Sequence, residues 1–231
     1  MSDFHIIRHR WVLQALLAID VQKATGPDEI PGRLLKLCAK QLSHPSTTLV
    51  RRIFQDSRWP DTWRLHWVQP LYKKGSPSLP GNYRGVHLTP ILSKIAERTI
   101  GKLFLPYLES TNAYGTRQWA FRKDHSCRDL ITLRMLNWIL AAHNNMKTGF
   151  FLSDISGAFD RVESKKLLNK LEHTGISPKL LHFLTSFFQP RLYTVLVNGA
   201  TSSLAPLENQ VFQGTVLGPP CWNIFSMMYL L

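Results

Sequence analysis

Proline- and glycine-containing breaks divide this chain into short helices and short strands, and they limit the folds open to it. Leu65–Tyr72 is a strand-like apolar run, and Lys73–Tyr83 (KKGSPSLPGNY), with two glycines and two prolines, must be a loop. Leu192–Val197 indicates another strand, and Asn198-Gly199 is a hairpin signal that predicts a partner strand near 204–212. Because helical stretches precede an interleaved set of strands, the order predicts an α+β fold.

Helix signals account for much of the remaining chain. Ser126 and Asp129 resemble a capping box, and Ser177 can cap a helix with Pro178 at its first position. Pro90 is likewise suited to the first position of a helix with one apolar face. Helices are therefore predicted over 32–42, from Pro90 onward, from Ser126 toward Asn145, over 163–173 and over 177–188.

The segment Phe151–Val162 (FLSDISGAFDRV) carries the first chemical signal. The apolar run 150–152 predicts a buried strand leading into Asp154. A carboxylate at a strand end can ligate a hard cation such as Mg²⁺. The small residues 156–158 would let a triphosphate approach backbone N–H groups. Taken alone the signal is weak, since an aspartate after a strand more often caps the next helix.

The charge is strongly basic and unevenly distributed. Lysine and arginine number 28 against 15 acidic residues, a net charge of +13. The stretch 51–134 holds 15 basic and six acidic residues, whereas 201–231 contains no lysine or arginine. Such an imbalance favours a polyanionic partner or an acidic membrane surface, and it is also compatible with a soluble protein of high pI.

Cysteine usage and the apolar segments bear on location. The three cysteines are far apart, which fits neither a disulfide framework nor a metal knuckle and suits a reducing compartment. Arg8 and Arg10 interrupt the first apolar stretch, so no signal peptide is expected. Thr215–Leu231 has only 17 residues and contains Pro219-Pro220, which favours a buried helix after a turn over a membrane span. We therefore predict an intracellular protein, in nucleus or cytoplasm, with no membrane partner.

Five segments in order resemble the reverse transcriptases of non-long-terminal-repeat (LINE-like) retrotransposons. Phe151–Val162 and Gln213–Phe225 (QGTVLGPPCWNIF) resemble their motifs A and B. Lys23–Pro31 (KATGPDEIP) resembles the N-terminal extension loop, Trp63–Leu88 the fingers, and Gln118–Arg128 (QWAFRKDHSCR) the block between fingers and palm. The resemblance covers residues 20–231. It implies an N-terminal helix or extension over 1–22, helical fingers over 23–149, and a partial palm over 150–231, with an antiparallel sheet packed on helices.

The resemblance also implies an activity. It implies RNA-directed DNA polymerisation, in which a DNA primer is extended on an RNA template from deoxynucleoside triphosphates by two-metal nucleotidyl transfer. Mg²⁺ is the expected ion and Mn²⁺ is possible. Asp154 would be the catalytic metal-binding carboxylate, with the Ile155 carbonyl as a further ligand. Phe159 matches the steric gate whose ring would collide with a ribose 2′-hydroxyl.

The remaining site residues implied by the resemblance contact nucleotide or nucleic acid. Cations in and after the 73–83 loop would clamp phosphates, glycine-rich backbone would contact the nucleotide, and a basic block would follow the template. The nucleotide set is Lys73, Lys74, Arg84, Ile155, Gly157, Ala158, Phe159, Gln213 and Gly214, and the template set is Arg122, Lys123 and Arg128. Asp160 is expected to be structural, for example through pairing with a nearby arginine.

The family's third motif, a hairpin with two adjacent aspartates, is not matched, because no acidic residue follows Glu208. We therefore expect a chain truncated before that motif, without a thumb and inactive by itself. Gly85, Ala120 and Phe212 also depart from the residues usual in the family. A non-catalytic nucleic-acid-binding remnant and a pseudogene translation without a stable fold remain alternatives. An RNA-dependent RNA polymerase or an intron maturase fits the segments less well. The retroelement clade, the host role and the oligomeric state stay undetermined.

Overall fold

Short helices and strands alternate irregularly, and the α+β class is confirmed. The computed structural model describes residue 1, residues 5–208 and residues 210–227. Within them, the helices are α1 His9–Leu17, α2 Gly32–Leu37, α3 Ala39–Gln55, α4 Ile91–Ser110, α5 Cys127–His143, α6 Ser164–His173, α7 Pro178–Phe187 and α8 Gly218–Ser226. The strands are β1 Leu65–Tyr72, β2 Tyr83–Leu88, β3 Arg191–Val197, β4 Ala200–Thr201 and β5 Ala205–Leu207.

The sheet has the order β2-β1-β3-β4, and β5 also pairs with β3. β1 and β2 are antiparallel from Trp67 opposite Leu88 to Tyr72 opposite Tyr83, so the predicted loop closes this pair. β1 and β3 are parallel, with Leu65 opposite Leu192. The sheet is thus mixed rather than antiparallel. A parallel pair needs a long crossover connection, and helices α4 to α7 provide it.

The predicted hairpin is confirmed, but its return strand is shorter than expected. Asn198 and Gly199 both have positive φ, +50° and +83°, as a type I′ turn requires. The chain returns as β4 and then as β5, which ends at Leu207 rather than continuing to 212. Beyond it, the Val211 amide donates a hydrogen bond to the Phe159 carbonyl at 3.0 Å, so the chain has left the sheet.

The prediction of a buried strand at 150–152 is wrong. These residues form no strand, and Phe151 and Leu152 are 91% and 90% exposed. A strand needs a neighbour that accepts and donates backbone hydrogen bonds, and no strand in the described part of the chain lies beside this run. The hydrophobic pattern predicted burial, but burial depends on a partner that the pattern cannot supply.

Most helix predictions are confirmed with shifted boundaries. The Ser126 hydroxyl accepts a hydrogen bond from the Asp129 amide, and the Asp129 carboxylate accepts one from the Ser126 amide, which completes the capping box of α5. Ser177 caps α7 as predicted. The single helix predicted over 32–42 is instead α2 and α3, separated at Cys38.

The predicted C-terminal helix is α8, and it is largely buried. Pro219-Pro220 lie inside its first turn rather than before it. Proline is tolerated there because first-turn amides have no partner within the helix. Residues 228–231 of that prediction lie outside the described residues, as do residues 2–4 of the predicted N-terminal segment.

Helix α4 joins the two hydrophobic cores. Its Ile100 and Phe104 pack in the larger core with residues of α6, α7 and α8, and its Ile91 and Ile95 pack in a smaller core with α1 and α2. By contrast, no residue of α5 is buried. None of the helices within the described ranges is long and apolar enough to cross a membrane.

Candidate active site

Two segments about fifty residues apart meet beside the sheet. The Val211 amide donates to the Phe159 carbonyl at 3.0 Å, and the Gln213 side-chain amide donates to the Asp160 carboxylate at 3.2 Å. The fold therefore brings together the two segments that carry the predicted motifs A and B. Asp160 accepts from Gln213 and has no arginine within ion-pair distance among the described residues, so its expected pairing with an arginine is not observed.

The Phe159 ring lies close to two other aromatic rings. Its centroid is 5.6 Å from that of Trp222 on α8 and 6.0 Å from that of Phe121. Phe121 is 58% exposed and has a φ of +55°, a conformation that bulky residues rarely adopt. These contacts hold a half-buried ring at the junction of the two segments.

Gly214 packs directly on strand β2. Its φ is +81°, and a Cβ atom at this position would lie 2.5 Å from the carbonyl oxygen of His87. Only glycine fits, because any side chain would meet backbone and would also occupy the left-handed region. The loop that follows Gln213 is thus fixed against the sheet.

Glu97 anchors the same loop at a second point. Its buried carboxylate accepts hydrogen bonds from the amides of Val216 and Leu217 at 2.5 and 3.0 Å. Burial raises the pKa of Glu97, and the positive charge of Arg191 opposes that rise. The sequence reasoning missed this residue. Gly101, four residues along α4, packs near the Leu217 side chain, a contact that only the folded chain reveals.

A buried polar chain lies beneath the loop. Arg191 Nη1 is 2.9 Å from His66 Nε2, and His66 Nδ1 is 3.1 Å from His87 Nδ1. Arginine is only a donor, so His66 accepts at Nε2 and must donate its Nδ1 proton to His87. Burial lowers the pKa of His66 to about 2 and that of His87 to about 4, which keeps both rings neutral.

The guanidinium of Arg191 also explains one departure from the family pattern. It lies 3.9 Å from the ring centroid of Phe212, at the position where the family usually has proline. Burial lowers the pKa of Arg191 to about 9, so the group stays charged at neutral pH. A cation–π contact of this kind stabilises a desolvated arginine. Phe212 is therefore part of the support for Gln213, one residue later.

The predicted metal ligands are not gathered into a cluster. Asp154 and Ile155 are exposed, in the segment that forms no strand. Among the described residues, no group of three histidine, cysteine or acidic side chains could hold a metal ion. Gly157, three residues after Asp154, has a φ of +65°, so its backbone conformation favours glycine. One carboxylate and one carbonyl do not by themselves form a site for two cations.

The predicted phosphate-binding cations lie at the far end of the β1–β2 pair. Lys73, Lys74 and Arg84 are exposed, and Arg84 stands opposite Leu71 in the register. The loop between them is ordered by its own contacts: the Lys73 amide donates to the Asn82 carbonyl at 2.8 Å. All three cations are therefore accessible, the two lysines at the start of a defined loop and Arg84 on strand β2.

The three predicted template contacts differ in accessibility. The side chain of Arg122 is 9% exposed, and its guanidinium donates to Glu109 at 2.8 Å and to the carbonyls of Gly115 and Gln118. Lys123 and Arg128 are exposed. Arg122 thus holds its own segment to the end of α4, and the accessible cations of the block are the other two.

A protein-family model described as reverse transcriptase (RNA-dependent DNA polymerase) matches residues 71–229. The chain belongs to the reverse transcriptase family. It is 31% identical over 218 residues to the RNA-directed DNA polymerase from mobile element jockey of Drosophila melanogaster. The aligned region covers 93% of this chain and 24% of that relative. It is 29% identical over 218 residues to the probable RNA-directed DNA polymerase from transposon X-element of the same species, and this alignment covers 93% of the chain and 24% of that relative.

A third relative is the probable RNA-directed DNA polymerase from transposon BS of Drosophila melanogaster, which is 26% identical over 223 residues. This alignment covers 95% of the chain and 24% of that relative. The predicted resemblance to reverse transcriptases of non-long-terminal-repeat retrotransposons is confirmed. The chain spans about a quarter of the length of these relatives.

Proposed function

We propose that this chain is the nucleotide-selecting part of an RNA-directed DNA polymerase, with an extension over 1–22, fingers over 23–149 and part of the palm over 150–231. The observation that carries this proposal is the junction of the two motif segments, where Gln213 reaches Asp160 and Val211 pairs with the Phe159 carbonyl. Membership in the reverse transcriptase family supports it independently.

In this proposal the incoming deoxynucleoside triphosphate binds along that junction. The sugar would lie against the Phe159 ring, which is in contact with Trp222 and Phe121. A ribose 2′-hydroxyl would collide with this ring, so deoxyribose would be preferred. The base would lie beside Gln213 and Gly214, and the backbone of exposed Gly157 and of half-buried Ala158 would approach the phosphates. Lys73, Lys74 and Arg84 would add charge-assisted contacts to the triphosphate.

Two-metal transfer of the nucleotidyl group, with Mg²⁺ or Mn²⁺, is the chemistry that the resemblance implies. Asp154 and the Ile155 carbonyl are the ligands that this chain would contribute. Within the described ranges, no cluster of three or more histidine, cysteine or acidic side chains that could hold a metal ion includes Asp154. The donor set therefore does not complete a two-cation site, and we assign no reaction step to a metal here.

An RNA template and a DNA primer are the proposed macromolecular partners. The stretch 51–134 has a surplus of nine basic residues, and Lys123 and Arg128 are exposed within it. Phosphate contacts of this kind give affinity that falls with rising salt. The same surplus would serve a non-catalytic nucleic-acid-binding protein, which is the second candidate function.

Binding of dATP and ATP to the 231-residue chain tests the nucleotide proposal. We expect dATP to bind at least about tenfold more tightly in equilibrium dialysis, the scale of one steric mismatch. Phe159→Ala should reduce this preference to near unity. Phe151→Ala is the matched control, because this aromatic lies in the same segment but is almost fully exposed. Equal affinities in the wild type, or equal effects of the two variants, would contradict the proposal.

Primer extension tests the expected inactivity of the isolated chain and its binding to nucleic acid. With poly(rA)/oligo(dT), Mg²⁺ and dTTP, we expect the 231-residue chain to bind the duplex in a salt-dependent way but to incorporate no nucleotide. Robust synthesis would overturn the expected inactivity of the isolated chain and would support the polymerase assignment. Binding that does not respond to salt would count against the nucleic-acid role of the basic stretch.

A further inference from the structure

Glu97 lies within α4 and contacts the loop that precedes α8. Its side chain is fully buried, and one carboxylate oxygen accepts both the Val216 and the Leu217 amide. These amides immediately precede α8, which begins at Gly218. Amides at the start of a helix have no partner inside it. Glu97 supplies that partner from a position more than one hundred residues earlier in the chain.

A carboxylate is a costly choice for this position. Burying a charge is unfavourable unless hydrogen bonds and an opposite charge compensate it. Two charge-assisted hydrogen bonds and the electrostatic attraction of buried Arg191 provide that compensation. The positive end of the α8 dipole lies at the same place. The second carboxylate oxygen has no hydrogen-bond partner within the described residues, so the interaction is concentrated on the two loop amides.

The loop between Phe212 and α8 is consequently fixed at two points. Gly214 rests on the His87 carbonyl, and the 216–217 amides are held by Glu97. The Thr215 hydroxyl donates to the Phe212 carbonyl at 2.7 Å and closes the turn between them. Gln213 projects from this fixed turn to Asp160.

We propose that Glu97 is a positioning residue for the nucleotide site, which sets the placement of Gln213 and Gly214 through the amides of Val216 and Leu217. It contacts no ligand itself. Its effect on nucleotide binding rests on the proposed function, whereas its effect on Gln213 is independent of any ligand.

The first test uses NMR on the ¹⁵N-labelled 231-residue chain. In Glu97→Gln, hydrogen exchange of the Val216 and Leu217 amides should accelerate by about tenfold or more, the scale of losing one charge-assisted hydrogen bond. The Gln213 side-chain NH₂ resonances should shift as the contact with Asp160 changes. Thr99→Ala is the matched control, because Thr99 is buried on the same helix and, within the described ranges, its hydroxyl bonds to the Ile95 carbonyl alone.

Glu97→Asp distinguishes the effect of side-chain length from the effect of charge. It is also the second variant should the glutamine variant fail to fold. It keeps the charge but shortens the side chain, so the same amides and the same Gln213 resonances should change. Unchanged Gln213 resonances in a folded Glu97 variant would overturn the inference, as would equal shifts in Thr99→Ala.

Binding of dATP then separates the inference from the proposed function. Glu97→Gln should weaken dATP binding by about tenfold, matching the loss of one such bond, while Thr99→Ala stays within about twofold. Absence of dATP binding to the wild type would refute the proposed function, and the Gln213 resonances would still decide the positioning role. Unchanged dATP affinity in Glu97→Gln, with normal wild-type binding, would refute the inference alone.

Discussion

Replacing Gly214 by alanine measures how closely the loop before α8 packs on β2. The added Cβ would lie 2.5 Å from the His87 carbonyl oxygen, and φ is +81°. Gly199 offers a matched control, because its φ is +83° and a Cβ there would meet nothing within 4 Å. The two substitutions share the backbone cost and differ in the steric contact.

The expected losses follow from these two terms. A left-handed conformation costs an alanine about 1–2 kcal/mol, so Gly199→Ala should lower the free energy of unfolding by about that amount. Gly214→Ala should lose a further ~1–3 kcal/mol, because overpacking against backbone forces the chain to move. The total of about 2–5 kcal/mol is a large part of the ~5–15 kcal/mol that stabilises a typical domain.

Urea denaturation followed by tryptophan fluorescence measures both values, and the chain has seven tryptophans to report unfolding. The free energies compare directly provided that the denaturant slopes agree. Equal losses in the two glycine variants would refute the close approach to His87, and a loss below ~1 kcal/mol in Gly214→Ala would refute it outright.

Three further outcomes are expected. Burial lowers the folded pKa of His87 to about 4 from 6.5, so His87 alone should lower the free energy of unfolding by about 3 kcal/mol between pH ~6.5 and ~4, at ~1.4 kcal/mol per unit, and His66, with a pKa of about 2, should add a similar fall; in urea melts His87→Asn should therefore make the profile shallower by about 3 kcal/mol, and an unchanged profile would contradict the burial of His87. Arg122→Gln should cost about 2 kcal/mol in the same assay because Glu109 loses its buried partner, whereas exposed Lys123→Gln should cost below ~0.5; equal costs would contradict the structural role. Ser126→Ala should weaken the start of α5 by about 1 kcal/mol, visible as faster amide exchange there, and an unchanged rate would exclude the capping box.

Local features of the fold could be predicted because their causes are local. The bounds of β1, the Asn198-Gly199 turn and the caps at Ser126 and Ser177 depend on residues only a few positions apart. Family membership was likewise readable, since ordered motifs survive in the sequence itself. The roles of the exposed cations stay predictions.

The sequence by itself determined the α+β class, the turns, the helix starts and the family. The tertiary structure decided which polar groups serve the fold. Arg122 bonds to Glu109, Glu97 holds amides beside α8, and Arg191 lies against Phe212. It also decided that 150–152 stays exposed, because the described sheet offers that run no neighbour. The physical reason is the distance along the sequence between interacting residues. Caps and turns form between residues a few positions apart, whereas buried charges and strands need partners that only the folded chain brings near.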